Sequence, residues 1–313
     1  MTPAVVTVTP HPALDWTLTV PGFAAGAVHR AEAQRMEPGG KGVNVAARLA
    51  ELGVAVAATG YLGEDNAAPF EALFERAGIL DRFVRIEGAN RVSVKIVDPD
   101  GGTTDVNTFG AAPSLADRNA LATELGALLA SRPIVVLSGS LPPGMVPSVY
   151  RGLVGMLRQQ GCRVVLDTSG EALTAALDAP DGALPHVVKP NRAELEAAVG
   201  RPLPDLPALV GAAREVVARG VELVVVSRGA EGALFVARDR VVEARPPAVA
   251  VGSTVGAGDA LVAGVVAAGL AGLDLEATAR YATAVALRVV AVDRARLPEW
   301  ERRVDVRPRP DLD

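Results

Sequence analysis

The chain has 313 residues, half of them hydrophobic, enough to bury one large α/β core or a main domain with a small appendage. A formal net charge of -5 supplies no basic field, so nucleic acid is not an expected partner, and a small anionic ligand would need local basic residues. Neither a disulfide nor a membrane span is expected, since Cys162 is the only cysteine and the longest apolar run, 260–273, is short and interrupted by glycines.

In chain order, MTPAVVTVTPHPALD lacks the basic region and long apolar core of a secretory leader and reads as a first strand, so a cytoplasmic protein with no membrane partner is expected. Next come two stretches that alternate polar and apolar residues: LDWTLTV with AVHRAEAQRM, and NRVSVKIVDPDGGTTDVNTFG, whose DPDGG marks a hairpin turn. Together, at approximately 12–37 and 88–110, they predict a small one-sided β-sheet lid inserted in a single domain spanning 1–313. The runs at 54–63, 133–140, 162–170, 185–191 and 222–229 are continuously apolar and end in polar or glycine residues, as strands buried on both faces do. Between them, 43–53, 147–161 and 206–220 show helical spacing with glycine stops. The rhythm predicts an α/β fold with a mostly parallel sheet covered by helices on both faces. Ligands in such sheets collect beyond the carboxyl ends of the strands. Ser138 and Ser140, Asp167 and Ser169, Lys189 and Asn191, and Ser227 and Gly229 fall there.

No G-x-x-x-x-G-K-[ST] loop and no G-x-G-x-x-G after a strand is present, which disfavours a Walker-type NTPase and a dinucleotide enzyme. His11, His29 and His186 lack metal-ligand spacing. Arginine carries nearly all the positive charge, and Lys41, Lys95 and Lys189 are the only lysines. A compact ammonium suits a tight phosphate pocket better than a planar fork, chance survival being the alternative. PGGKGVNVA (38–46) joins a glycine turn to a helix start, where free amides and the helix dipole favour an anion, unless it is an ordinary capped helix. TVGAGDALVAG (254–264) repeats that logic with a carboxylate added. Asp259 reads either as a helix cap or as a base beside an anion hole formed by the amides of 256–259.

Taken in order, PGGKGVNVA, SGSLPPG (138–144), LDTSGEAL (166–173), KPNRAEL (189–195) and TVGAGDALVAG resemble the ribokinase-like (PfkB) carbohydrate kinases. Within that family they are similar to the branch of 1-phosphofructokinases and tagatose-6-phosphate kinases. The resemblance implies a doubly wound, mostly parallel α/β sheet with a β lid, and a homodimer joined through the lid. It also implies ATP and Mg²⁺ as cofactors and a ketohexose phosphate as substrate, fructose 1-phosphate before tagatose 6-phosphate or fructose 6-phosphate. Asp259 would be the general base, with the amides of Gly256, Ala257 and Gly258 as the hole for the transferring phosphoryl group. Asp15 would hold sugar hydroxyls; Gly39, Gly40, Lys41 and Asn44 would line the sugar-phosphate end; and Arg91 and Ser140 would grip the phosphate. Lys189, Asn191 and Glu194 would stand at the nucleotide phosphates, Glu194 reaching Mg²⁺ through water, and Ser227, Gly229, Gly232 and Thr254 would border the nucleotide.

Five positions depart from that pattern. The lid motif T-R-x-N-x-K has Asn90 and Ser93 here, Arg228 occupies a usually apolar place, Ala260 stands where serine is frequent, and His29 replaces a residue that is often asparagine or arginine. A non-catalytic sugar-phosphate or nucleotide sensor would keep Lys41 and Arg91 but could dispense with Asp259.

Overall fold

A computed structural model describes residues 2–180, 182–293 and 295–312. The chain opens with β1 (Val5–Thr9), β2 (Ala13–Thr19), β3 (Ala33–Gly39), α1 (Lys41–Glu51) and β4 (Val56–Gly63). It continues through α2 (Ala68–Ala77), β5 (Leu80–Asp81), β6 (Val84–Ile86), β7 (Arg91–Val97), β8 (Thr103–Asn107) and α3 (Leu115–Leu128). Next follow β9 (Ile134–Ser138), α4 (Val149–Gln159), β10 (Arg163–Asp167), α5 (Gly170–Leu177), β11 (Val187–Val188), α6 (Arg192–Val199), α7 (Leu206–Ala218) and β12 (Leu223–Ser227). The last part holds β13 (Ala233–Ala237), β14 (Val241–Arg245), α8 (Ala257–Leu270), α9 (Leu275–Val290), α10 (Leu297–Arg303) and β15 (Asp305–Pro308).

Among the described residues, eleven strands form the large sheet, in the order β15-β14-β13-β12-β11-β10-β9-β1-β4-β5, with β6 also paired to β4. From β12 to β5 the pairing is parallel; β13, β14 and β15 extend one edge antiparallel. The continuous apolar runs follow from this arrangement, because successive side chains of a strand enter opposite layers. Val5, Val136, Val165 and Val225 face the core beneath α1, α8 and α9, while Val6, Leu137, Leu166 and Val226 face the core that holds Tyr150, Leu173 and Leu209. The expected strand at 185–191 is regular only over Val187–Val188; Pro190 has no N–H to give the ladder, and pairing resumes as a single bridge from Asn191 to Ser227.

Helix α8 has no polar face along its middle: Asp259 through Ala268 are all buried, packed against α1 and α9. An all-round apolar helix marks an interior position. No helix among the described residues is long and apolar enough to cross a membrane.

A second sheet has the order β3-β2-β7-β8, with β2 and β7 parallel and the other pairs antiparallel. It uses the two alternating stretches, although β3 begins at Ala33 rather than at the start of AVHRAEAQRM. Its register sorts the side chains by face. Trp16 lies opposite Met36 and Val94, and Val94 opposite Val106, making one apolar row; the neighbouring row is Asp15, Glu37, Ser93 and Asn107. With a side-chain period of two, one face is apolar and the other polar.

Candidate active site

The approach to α8 turns through Gly256, the helix N-cap, whose φ of 77° lies in the left-handed region that a β-carbon disfavours. Asp259 sits in the first turn, 7% exposed, and makes no cap hydrogen bond to the helix. Of the amides expected to form the anion hole, that of Ala257 donates to Thr254 O at 3.2 Å. Those of Gly256, Gly258 and Asp259 have no acceptor among the described residues. The free donors at this helix N-terminus are therefore Gly256, Gly258 and Asp259 itself.

Asn44 Nδ2 donates to Asp259 Oδ2 at 2.8 Å, joining α1 to α8. Burial, reinforced by the negative charge of Asp167, pushes the Asp259 carboxyl up to about 6; the Asn44 hydrogen bond and the ammonium groups of Lys41 and Lys189 act against that rise. Lys41 and Lys189 meet on one oxygen. Their Nζ atoms lie 3.1 and 3.2 Å from Asp167 Oδ1, while Oδ2 is buried without a hydrogen-bond partner. Lys189 also borders α8, because a β-carbon on Gly258 would stand 3.6 Å from its Nζ. Around Lys41, burial lowers the ammonium, but Asp167 and Glu194, together with Asp259, outweigh it and hold Lys41 above its usual value.

Asp167 is the member that the sequence reading placed in the crevice without a role. Its signal was a carboxylate closing an apolar strand; its partners lie 126 and 22 residues away, so no local pattern names them.

The lid contributes a second group. Asp15 of β2 is half-buried, with its carboxyl raised by burial and opposed by Arg91 and Lys95. Gly39 packs against it so closely that a β-carbon would fall 2.2 Å from Asp15 Oδ2. Gly40 then caps α1, which starts at Lys41. Arg91 Nη1 lies 3.3 Å from Ser93 Oγ, and its Nε donates to His11 O at 3.3 Å. The His11 ring spans Ser140 Oγ, 3.3 Å away, and Phe109 O, 2.8 Å away, so the exposed Ser140 stands beside Arg91 through His11. Asn90 is buried and accepts from Gly63 N, donates to Gly63 O and bonds Asn66, which makes this departure an anchor for the lid strand.

On the other side, Asn191 and Glu194 close a capping box at the start of α6: Asn191 Oδ1 accepts from Glu194 N and Glu194 Oε2 accepts from Asn191 N, both at 2.8 Å. Asn191 bridges Ser227, and the turn through Gly229 and Gly232 follows. Thr254 contributes its carbonyl to the Ala257 amide. Among the described residues, no three His, Cys, Asp or Glu side chains gather as a metal cage. A cation here would be held by few carboxylates, as a hydrated Mg²⁺ on phosphate oxygens is.

The model of the pfkB family of carbohydrate kinases matches residues 8–302. The chain belongs to that family. Within the pfkB family it is 49% identical to a 1-phosphofructokinase of Xanthomonas campestris pv. campestris over 284 residues, 90% of this chain and 89% of that one. It is also 49% identical to a 1-phosphofructokinase of Rhodobacter capsulatus over 304 residues, 96% and 95% of the two chains. Phosphofructokinase-2 from Escherichia coli, crystallised in complex with substrates and products, superposes with a TM-score of 0.87 at 30% identity, covering 95% and 98%. A further structure of that enzyme is described as its tetrameric inhibited form. The large sheet, the helices on both faces and the second small sheet are thus the ribokinase-like architecture that the motifs implied. As a pfkB sugar kinase, the chain takes its phosphoryl group from ATP.

Proposed function

We propose that this kinase phosphorylates fructose 1-phosphate to fructose 1,6-bisphosphate. The observation that carries the mechanism is the buried Asp259 carboxylate, held by Asn44 beside free amides at a helix N-terminus. Asp259 accepts the proton of the attacking primary hydroxyl, and the amides of Gly256 and Gly258 receive charge that develops on the transferring phosphoryl oxygens. Ala257 contributes to the turn rather than to the hole. Asp15 orients the ring hydroxyls, Lys41 with Arg91 and Ser140 faces the phosphate that the sugar already carries, and Gly39 and Gly40 let the backbone approach it. Lys189 and Asn191 stand toward the nucleotide phosphates, which Ser227, Gly229, Gly232 and Thr254 border.

Glu194, with one carboxylate oxygen outside its capping box, is the residue that would hold Mg²⁺ through water. That ion supplies charge neutralisation on the β- and γ-phosphates when bound. The lid sheet belongs to the same 1–313 domain and pairs two copies through its apolar face, a smaller assembly than the tetrameric inhibited form of the Escherichia coli relative.

The similarity to 1-phosphofructokinases supports this acceptor, the lysine-bearing PGGKG motif favours the 1-phosphofructokinase and tagatose-6-phosphate kinase branch, and the acceptor test is direct. ADP release measured with fructose 1-phosphate, fructose 6-phosphate, tagatose 6-phosphate and ribose should be fastest with fructose 1-phosphate. A higher kcat/KM for another acceptor overturns the assignment. In the same assay Asp259→Asn should lose about 10²- to 10⁴-fold in kcat while still binding ATP. Near-normal turnover removes Asp259 as the base.

A further inference from the structure

Arg228 carries a full charge, and its side chain is nevertheless only 7% exposed. It follows Ser227, whose amide donates to Pro190 O at 3.0 Å and which bridges Asn191, and it opens the tight turn back into β13. Within that turn Arg228 N donates to Gly232 O at 2.8 Å, Glu231 N to Arg228 O at 3.2 Å, and Gly232 N to Gly229 O at 3.0 Å. The guanidinium adds three further ties: Nη1 to Glu231 Oε2 at 3.2 Å, Nη2 to Glu231 O at 3.1 Å, and Nη2 to Glu243 Oε1.

Glu243 lies on β14, opposite Leu234, so Arg228 reaches past β13 to find it. That carboxylate is 1% exposed and also receives Arg245 Nη2 at 3.0 Å and Arg309 Nη1 at 2.9 Å. Burying such a cluster is a weak source of stability, because desolvation offsets most of the attraction and a well-packed apolar pair does as well. What the charged arrangement adds is geometry. A planar fork can grip a buried carboxylate and a backbone carbonyl at once, which an alkyl group cannot.

We propose that Arg228 is a positioning residue for the nucleotide. By tying the Glu231 carbonyl to Glu243, it fixes the turn that carries Ser227, Gly229 and Gly232. The inference rests on the assignment of those three residues to the nucleotide border, so the test separates the two. Arg228→Met and Arg228→Lys are compared with Ser227→Trp, which obstructs the border whatever holds the turn, and KM is measured for ATP and for the sugar phosphate separately. Glu243 keeps Arg245 and Arg309 in the Arg228 variants, so the sheet edge stays paired.

Arg228→Met should raise KM for ATP about tenfold, the scale of one lost charge-assisted hydrogen bond, with KM for the sugar phosphate unchanged. Arg228→Lys should recover part of that loss, since its ammonium reaches Glu243 but cannot span both partners. If Ser227→Trp raises KM for ATP and Arg228→Met does not, the positioning role is overturned while the border assignment stands. If neither changes KM for ATP, the border assignment itself fails and takes the inference with it. Equal rises in both KM values with a lowered melting temperature would mean that Arg228 only supports the fold.

Discussion

Asp259 is ionised at neutral pH at a cost that its neighbours only partly offset. Its carboxyl rises from the ordinary 3.8 to about 6, so the proposed base is available above that pH and is lost by protonation below it. The acidic limb of the kcat profile is therefore expected near pH 6. Asp167→Asn removes a like charge and should move that limb to lower pH. Asn44→Ala removes the hydrogen bond that favours the carboxylate and should move it higher. Measured kcat profiles in which both variants shift the same way would contradict this electrostatic account.

The stability consequence has a definite sign. Because the folded-state value is raised, the folded chain binds the proton more tightly than the unfolded one, and stability is lost as pH rises from about 4 to about 6. At 1.36 kcal/mol per pKa unit, the displacement from 3.8 to about 6 destabilises the fold by up to about 3 kcal/mol above pH 6. Asp259→Asn should therefore melt higher than the parent at pH 8 and much the same as it at pH 4; an equal difference at both pH values would sink this reading. The sequence made Asp259, Lys41 and Lys189 legible because glycine turns and scarce lysines mark them locally. It left Asp167 and Glu243 unassigned because their roles come from partners on distant strands and from burial, which no short motif encodes.

At the scale of elements, the parallel strands were legible as continuous apolar runs, and the lid by its alternation and its DPDGG turn. The antiparallel edge β13–β15 was not, since a strand buried in the middle of a sheet and one near its edge give the same short apolar run. Helix α8 showed no face because it is buried all round, and its register against α9 depends on Gly264. A β-carbon there would lie 2.5 Å from Ala282 Cα, a backbone atom that cannot swing aside. Gly264→Ala must push the two helices apart and should destabilise by about 1–3 kcal/mol, the range for overpacking a core. Since the same helix carries Asp259 at its first turn, kcat should fall as well. Thermal melts and steady-state rates check both; an unchanged melting temperature would show that the helix pair has slack.

At the scale of the whole molecule, the second sheet divides its labour by face. Its polar side holds Asp15, Arg91, Ser93 and Lys95, of which Asp15 and Arg91 are proposed to meet the sugar phosphate, while the opposite side presents the row Trp16, Met36, Val94 and Val106. Met36 and Val106 are 47% and 51% exposed, so that apolar row is only partly covered within one chain. A contiguous apolar patch on a thin sheet is a natural contact for a second copy, and a stable pairing needs roughly 1,200–2,000 Å² buried. Met36→Lys together with Val106→Lys places two like charges in each copy's contact row without touching the polar face or the large sheet. Sedimentation should report a dimer for the parent and a monomer for the double variant. The lid would then lose the support of a second copy beneath Asp15 and Arg91, the proposed sugar-phosphate groups, so KM for the sugar phosphate should rise while KM for ATP, whose proposed border is the β12–β13 turn, stays near the parent value. A double variant that still sediments as the parent does would place the subunit contact elsewhere than on the lid.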